Sequence, residues 1–143
     1  MLHDISTDLD DPPAFEAVLP LRKGARNPPH HGGEKVAAEQ RQAYPWLKPL
    51  FLEAAPAEVT AAAERMMRQM GWQVVAVDAG RGRLEAVATT RWLRFRDDVV
   101  VRIRAEGGKT RVDMRSKSRL GKSDLGANAR RIRAFLRALA SGV

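Results

Sequence analysis

Apolar residues recur along this chain with two periods, and the switch from one to the other outlines the fold. Across residues 56–70, Val59, Ala62, Ala63, Met66 and Met70 fall at helical spacing. Pro56 suits the first turn of such a helix and Gly71 the position just past its end. The period then drops to two. Residues 72–78, 83–90 (with an extension toward Phe95), 99–105 and 110–115 read as strands. Ala79-Gly80-Arg81-Gly82 and Glu106-Gly107-Gly108-Lys109 are turn sequences between them. Short connections between consecutive strands predict an antiparallel meander. Helical spacing returns over 125–140, where Ile132, Phe135, Leu136 and Leu139 share one face and Arg130, Arg133 and Arg137 another. Ser123 or Asp124 can cap its start by accepting from a first-turn amide. The methionine stripe of the first helix reads as core filling rather than a cofactor groove.

The first third of the chain obeys neither period. All eight prolines lie between Pro12 and Pro56, and a residue with fixed φ and no N–H favours extended or looped backbone. Residues 22–33 have turn composition and almost no apolar content, which predicts a mobile surface loop. Residues 34–43 are expected to form a short helix. Residues 44–50 read as an apolar strip held extended over the core by Pro45 and Pro49. The expected fold class is α+β: an antiparallel four-stranded meander flanked by an N-terminal-side helix and a C-terminal helix, both on its apolar face, with a proline-rich extended N-terminal strap. Residues 1–56 would be strap and loop and 57–143 the core, together a single domain.

Charge changes this picture more than composition does. The 143 residues are 44% hydrophobic and 29% charged, ordinary values for a globular chain. The absence of cysteine removes disulfides and thiol catalysis. No apolar run approaches the roughly 18–20 residues of a membrane span, and Met1-Leu2-His3-Asp4 does not open a signal peptide. A cytoplasmic monomer is the default expectation. Residues 1–80 carry eight Lys/Arg against eleven Asp/Glu, whereas residues 81–143 carry seventeen against six. Such asymmetry points either to an acidic partner or to an acidic N-terminal segment docking on the basic half.

The basic charge is densest in residues 113–131, DMRSKSRLGKSDLGANARR, where lysines and arginines alternate with hydroxyls, an amide and two glycines. Three chemistries fit. Gly121-Lys122-Ser123 before a helix imitates the end of a nucleotide-binding loop, but that pattern needs glycine at 116, where Ser116 stands, and a parallel βαβ setting. A simpler anion site would use Arg115, Ser116, Ser118, Arg119, Lys122, Ser123 and Asn128 with the amides of the helix start. A structural latch would instead join these cations, with Arg131, to Asp4, Asp8, Asp113 and Asp124. In that case loss of residues 1–13 should lower the melting temperature.

Other chemistries find less support. Trp46, Trp72 and Trp92 are not interleaved with the basic run, and no helix-turn-helix, zinc-finger or RRM pattern occurs, so nucleic acid is not an expected partner. His3, His30 and His31 lack ligand spacing, so neither metal nor other cofactor is expected. Glu85, Asp97, Asp98 and Asp113 are available carboxylates, yet carboxylates among so many arginines are usually structural. Ser116-Lys117-Ser118 lacks the S-x-x-K spacing of a nucleophile pair.

Several strings together carry a family resemblance: Asp4-Ile5-Ser6-Thr7-Asp8 with Asp11-Pro12-Pro13, then Tyr44-Pro45, Gly71-Trp72, Glu85-Ala86 and Asp97-Asp98-Val99. Above all, Arg115-Ser116-Lys117-Ser118-Arg119 continues to Asp124-Leu125-Gly126-Ala127-Asn128-Ala129. Over nearly its whole length the chain resembles the domain-of-unknown-function family fourteen ninety-nine. The resemblance implies a small α+β domain of bacteria and plastids with no agreed enzymatic activity, so it supplies no catalytic residue. It also implies relatives that are often membrane-attached, periplasmic or plastid. This chain begins at the first family motif, as a free-standing version, a trimmed parent or an incomplete reading frame would.

The leading expectation is a non-catalytic domain that binds an anionic small molecule, lipid headgroup or protein partner at the face spanning Asp113 to Asn128. The alternatives are a structural accessory domain whose motifs pair internally, and a hydrolase or isomerase using Asp98 or Asp113.

Overall fold

Gly107 and Gly108 both adopt positive φ, 61° and 81°, which matches the twist of a two-residue hairpin turn. They join β5 (Arg96–Glu106) to β6 (Lys109–Ser118), whose register runs from Glu106 opposite Lys109 to Asp97 opposite Ser118. In the computed structural model, which describes residues 2–143, this hairpin is the centre of a six-stranded antiparallel sheet. β4 (Arg83–Thr89) pairs with β5, and β3 (Gln73–Asp78) pairs with β4 through a bulge between Val74 and Ala76. On the far side, β1 (Asp4–Ser6) and β2 (Leu50–Leu52) lie end to end along the edge of β6.

The sheet therefore has two strands more than the four expected. Both are three residues long, too short to show alternation, and their pairing with β6 satisfies backbone groups that would otherwise form an open edge. β6 also runs further than expected. Ser116 to Ser118 continue the strand, and only residues 119–126 connect it to the last helix.

Three α-helices complete the fold: α1 (Glu34–Ala43), α2 (Pro56–Gln69) and α3 (Ala127–Gly142). Val59, Ala63 and Met67 of α2 and Ile132, Phe135 and Leu139 of α3 meet Leu84, Val99, Val101, Val112 and Met114 of the sheet in the main core. Phe135 stacks on Trp72 with ring centroids 5.4 Å apart. α3 starts two residues later than its apolar pattern suggests because Leu125 and Gly126 are left-handed, with φ of 53° and 84°.

The opposite face of the sheet is not bare. Phe15 and Val18 pack there on Val87 and Val100 as a second, smaller cluster. Residues 7–33 contain only one 3-10 turn, Leu19–Leu21, yet they cross this face held by polar contacts with it. Residues 22–33 are accordingly not the free surface loop expected from composition. Arg22 is buried against Asp98, Asn27 donates to the carbonyls of Ser118 and Gly121 at 3.0 and 2.9 Å, and Pro29 and His30 offer their carbonyls to β6. A segment with almost no apolar side chains is ordered here through polar contacts, side-chain donors and backbone acceptors alike.

Candidate functional site

Side chains alternate along a strand, so Arg111, Asp113, Arg115 and Lys117 leave one face of β6 while Val112, Met114, Ser116 and Ser118 leave the other. The first set faces residues 4–33. Arg115, only 2% exposed, donates from Nε and Nη2 to the two carboxylate oxygens of Asp4, each at 2.9 Å. Its other N–H groups reach the carbonyls of Pro13 and Pro29 at 2.9 and 2.8 Å, and its guanidinium carbon sits 4.5 Å from the Phe15 ring centroid. Lys117 Nζ donates to the His30 carbonyl at 2.8 Å and lies 3.3 Å from Asp4.

The same pattern repeats on both sides. Asp98 lies between Arg22 and Arg119, the latter at 2.8 Å. Asp8 faces Arg102 at 3.0 Å and Arg111 at 3.2 Å. Asp113 accepts from Thr7 Oγ1 and from Arg111 Nε, both at 2.7 Å. Glu85 accepts from the backbone N–H groups of Glu16, Ala17 and Val18, so a buried carboxylate anchors that turn. Along the edge, Gln40 of α1 accepts from Ser6 N at 3.0 Å and donates to Ser6 O at 2.7 Å, standing in for a further strand.

The other set meets α3. Asn128 is fully buried. Its Oδ1 accepts from Ser116 Oγ at 2.6 Å and Arg131 at 2.9 Å, while its Nδ2 donates to Ser118 Oγ at 2.9 Å and Asp124 at 2.7 Å. Asp124 also accepts from the Gly126 and Asn128 amides at 2.7 and 3.1 Å. The amides expected to receive an anion at the helix start thus already have a carboxylate of their own. Asn128→Ala strands these partners in a buried site and should lower the unfolding free energy by about 1–3 kcal/mol. Urea denaturation measures it; a change inside about 0.5 kcal/mol would show that the amide is replaceable.

Burial by itself raises the pKa of Asp4, but hydrogen bonds and charge from Arg115, reinforced by Lys117 and His31, outweigh it and hold the carboxyl below its ordinary value. Burial pushes Lys117 down despite the neighbouring Asp4. Burial likewise pushes Asp97 up, although Arg131 lies 2.8 Å away.

One end of the sheet is built differently. Residues 90–95, between β4 and β5, and residues 120–126, between β6 and α3, enclose a cleft of about 300 Å³. Trp92, Leu93, Phe95, Leu120 and Leu125 line it, with Arg91, Arg130 and Ser123 at its rim and Asp97, Ser118 and Asp124 in its wall. Trp92 is 93% exposed, Leu93 71% and Leu125 85%. Arg94 and Leu125, one in each loop, are the non-glycine residues with positive φ among those described, a conformation that costs a side chain roughly 1–3 kcal/mol.

The residues singled out from the sequence therefore divide. Arg115, Ser116, Ser118, Arg119, Asn128 and Arg131 are occupied by internal partners, as are Asp4, Asp8, Asp113 and Asp124. Lys122 and Ser123 are exposed beside the cleft. Sequence reasoning missed Arg22, Gln40 and the cleft's Trp92, Leu93 and Leu125. Among the described residues, no group of three or more His, Asp or Glu side chains is arranged to hold a metal ion, and no helix is long and apolar enough to cross a membrane.

No curated protein matches the chain. Among solved structures, the crystal structure of Ara h 8.0201 aligns with a TM-score of 0.48 at 8% identity, covering 66% of this chain and 93% of that one. The protein TTHA0849 from Thermus thermophilus aligns with a TM-score of 0.33 at 18% identity, covering 66% of this chain and 90% of that one. The family model described as a protein of unknown function (DUF1499) matches residues 4–139, from the aspartate that holds Arg115 to the last core leucine of α3, and the chain belongs to that family.

Proposed function

We propose that this protein is a non-catalytic binding domain that takes an anionic amphiphile in the cleft between residues 90–95 and 120–126. The basic motif beside the cleft acts in this reading as a latch, closing residues 2–33 as a strap over the sheet. The observation that carries it is the division of the cations. Arg115 and Arg119 are buried on carboxylates and the half-buried Arg131 is paired with Asp97, whereas Arg91 and Arg130 stand exposed next to apolar side chains of the cleft, with the exposed Lys122 on the same loop as Leu125. A ligand with an apolar body and a phosphate, sulfonate or carboxylate head matches that second group.

Catalysis by Asp98 or Asp113 has less support, because both are buried ion-paired groups and neither borders the cleft. Asp97 has one observation in its favour: it is a desolvated carboxylate in the cleft wall, the setting of a general acid. Its contact with Arg131 supports a structural role instead.

The test uses anilinonaphthalene sulfonate, an apolar dye with one anionic head. Its fluorescence should rise on the folded wild-type protein and fall at least several-fold for Trp92→Ala combined with Leu125→Ser, with the melting temperature unchanged. Equal fluorescence from both proteins would place any binding elsewhere.

A further inference from the structure

The cleft is only part of a larger surface. A second, smaller hollow adjoins it, lined by Lys23, Gly24, Ala25, Arg94, Phe95, Arg96, Arg119 and Leu120. Phe95 and Leu120 border both. Across the two hollows the exposed cations are Lys23, Arg91, Arg94, Arg96 and Arg130, with Lys122 on the adjoining loop. The carboxylates in their walls are Asp97, which is buried on Arg131, and Asp124, which is bonded to backbone amides and Asn128. Nothing acidic in these walls is left over to balance the cations.

The apolar side chains here project outward. A residue gripping a small ligand is normally half-enclosed by the walls of its site, yet Trp92 is 93% and Leu125 85% exposed. Each loop turns through a left-handed residue, Arg94 in one and Leu125 in the other. Two neighbouring loops thus present an indole and leucines at their tips, surrounded by arginines and lysines. An indole favours the headgroup level of a bilayer, leucines the acyl boundary just below it, and the cations the phosphates above. Each Lys or Arg near an anionic surface strengthens binding about fivefold.

We infer that this end of the molecule docks on the surface of an anionic phospholipid bilayer, with Trp92, Leu93 and Leu125 inserted and Arg94, Lys122 and Arg130 on the lipid phosphates. The inference rests on the amphiphile reading above and names the form in which the amphiphile is met: as one lipid in a surface, not as a free molecule.

Vesicle sedimentation tests it, with phosphatidylcholine alone and with phosphatidylcholine mixed with phosphatidylserine, at physiological ionic strength. The full chain should sediment with the mixed vesicles and not with phosphatidylcholine alone. Binding should weaken about tenfold or more for Arg94→Glu combined with Lys122→Glu, which reverses two of the contributing charges. It should also weaken for Trp92→Ser combined with Leu125→Ser. Both pairs are on exposed positions, and unchanged melting temperatures would confirm that folding is intact. Sedimentation of both variants at wild-type levels overturns the inference. So does binding of a single-stranded oligonucleotide without binding of vesicles. If vesicles fail while the naphthalene dye still binds in a Trp92-dependent way, bilayer docking falls and the free-amphiphile reading stands. If the dye fails and the mixed vesicles bind, the surface is right and the cleft is not a ligand site.

Discussion

Arg115→Met should lower the unfolding free energy by about 3–5 kcal/mol, the usual consequence of removing one partner from a buried ion pair. Methionine roughly fills the volume of the aliphatic stem but leaves the Asp4 carboxylate without its two charge-assisted donors. Lys117, 3.3 Å away, offers partial compensation only, because burial already disfavours its charge. The carbonyls of Pro13 and Pro29 lose a donor in the same step, and Phe15 loses the guanidinium on its ring. Urea denaturation with far-ultraviolet circular dichroism reads the change. The double variant Asp4→Asn/Arg115→Met should recover part of the loss, since it removes the stranded charge along with its partner. A single variant as stable as wild type would mean that residues 4–29 are held by their apolar contacts and not by this arginine.

That experiment bears on why part of the fold was legible in the sequence and part was not. Where one face of an element is apolar, periodicity places it well: the helix expected over 56–70 is α2, Pro56–Gln69. β6 breaks the rule. Beyond Met114 its inner face carries Ser116 and Ser118, which face the amide of Asn128, and its outer face carries Arg115 and Lys117. Both faces are polar, so a hydrophobicity scale gives no reason to continue the strand through residues 116–118. As a strand they are paired on both sides, with Asp97, Asp98 and Val99 of β5 and with Asp4 and Ile5 more than a hundred positions away, and no local window contains the second set.

The candidate site was hidden for the opposite reason. Trp92 and Leu93 fall in the expected extension of a strand toward Phe95, and Leu125 opens the expected last helix, positions where an apolar residue does not stand out. The structure leaves them exposed on two loops that each carry a left-handed residue, Arg94 and Leu125, and neither residue type signals that conformation in advance. The basic string borders the proposed cleft through residues 118–130. Within it, strand alternation decides which charges turn inward to Asp4 and which loop positions, Lys122 among them, stay in water.

Deleting residues 1–13 should abolish cooperative unfolding altogether. The segment supplies β1, and with it Leu2 and Ile5 to the main core, each fully buried aliphatic side chain contributing about 1.5–3 kcal/mol. It also supplies Asp4 to Arg115 and Lys117, and Asp8 to Arg102, Arg104 and Arg111. Without those two carboxylates, five cations on one sheet face lose counter-charges, and Asp113 loses the Thr7 hydroxyl. Any one of these losses is tolerable against a typical domain stability of about 5–15 kcal/mol, but they fall on the same few strands and act together. The expected product is a chain with reduced strand content, a broad thermal transition and strong dye fluorescence from exposed core. A synthetic peptide of residues 1–13 added in excess should restore part of the sharp transition, because the edge of β6 and its unpaired arginines form a template of matching register and charge. A deletion variant that melts as sharply as the full chain would show that β2 to β6 and the helices stand alone, and that the acidic segment is a passenger on the sheet it covers.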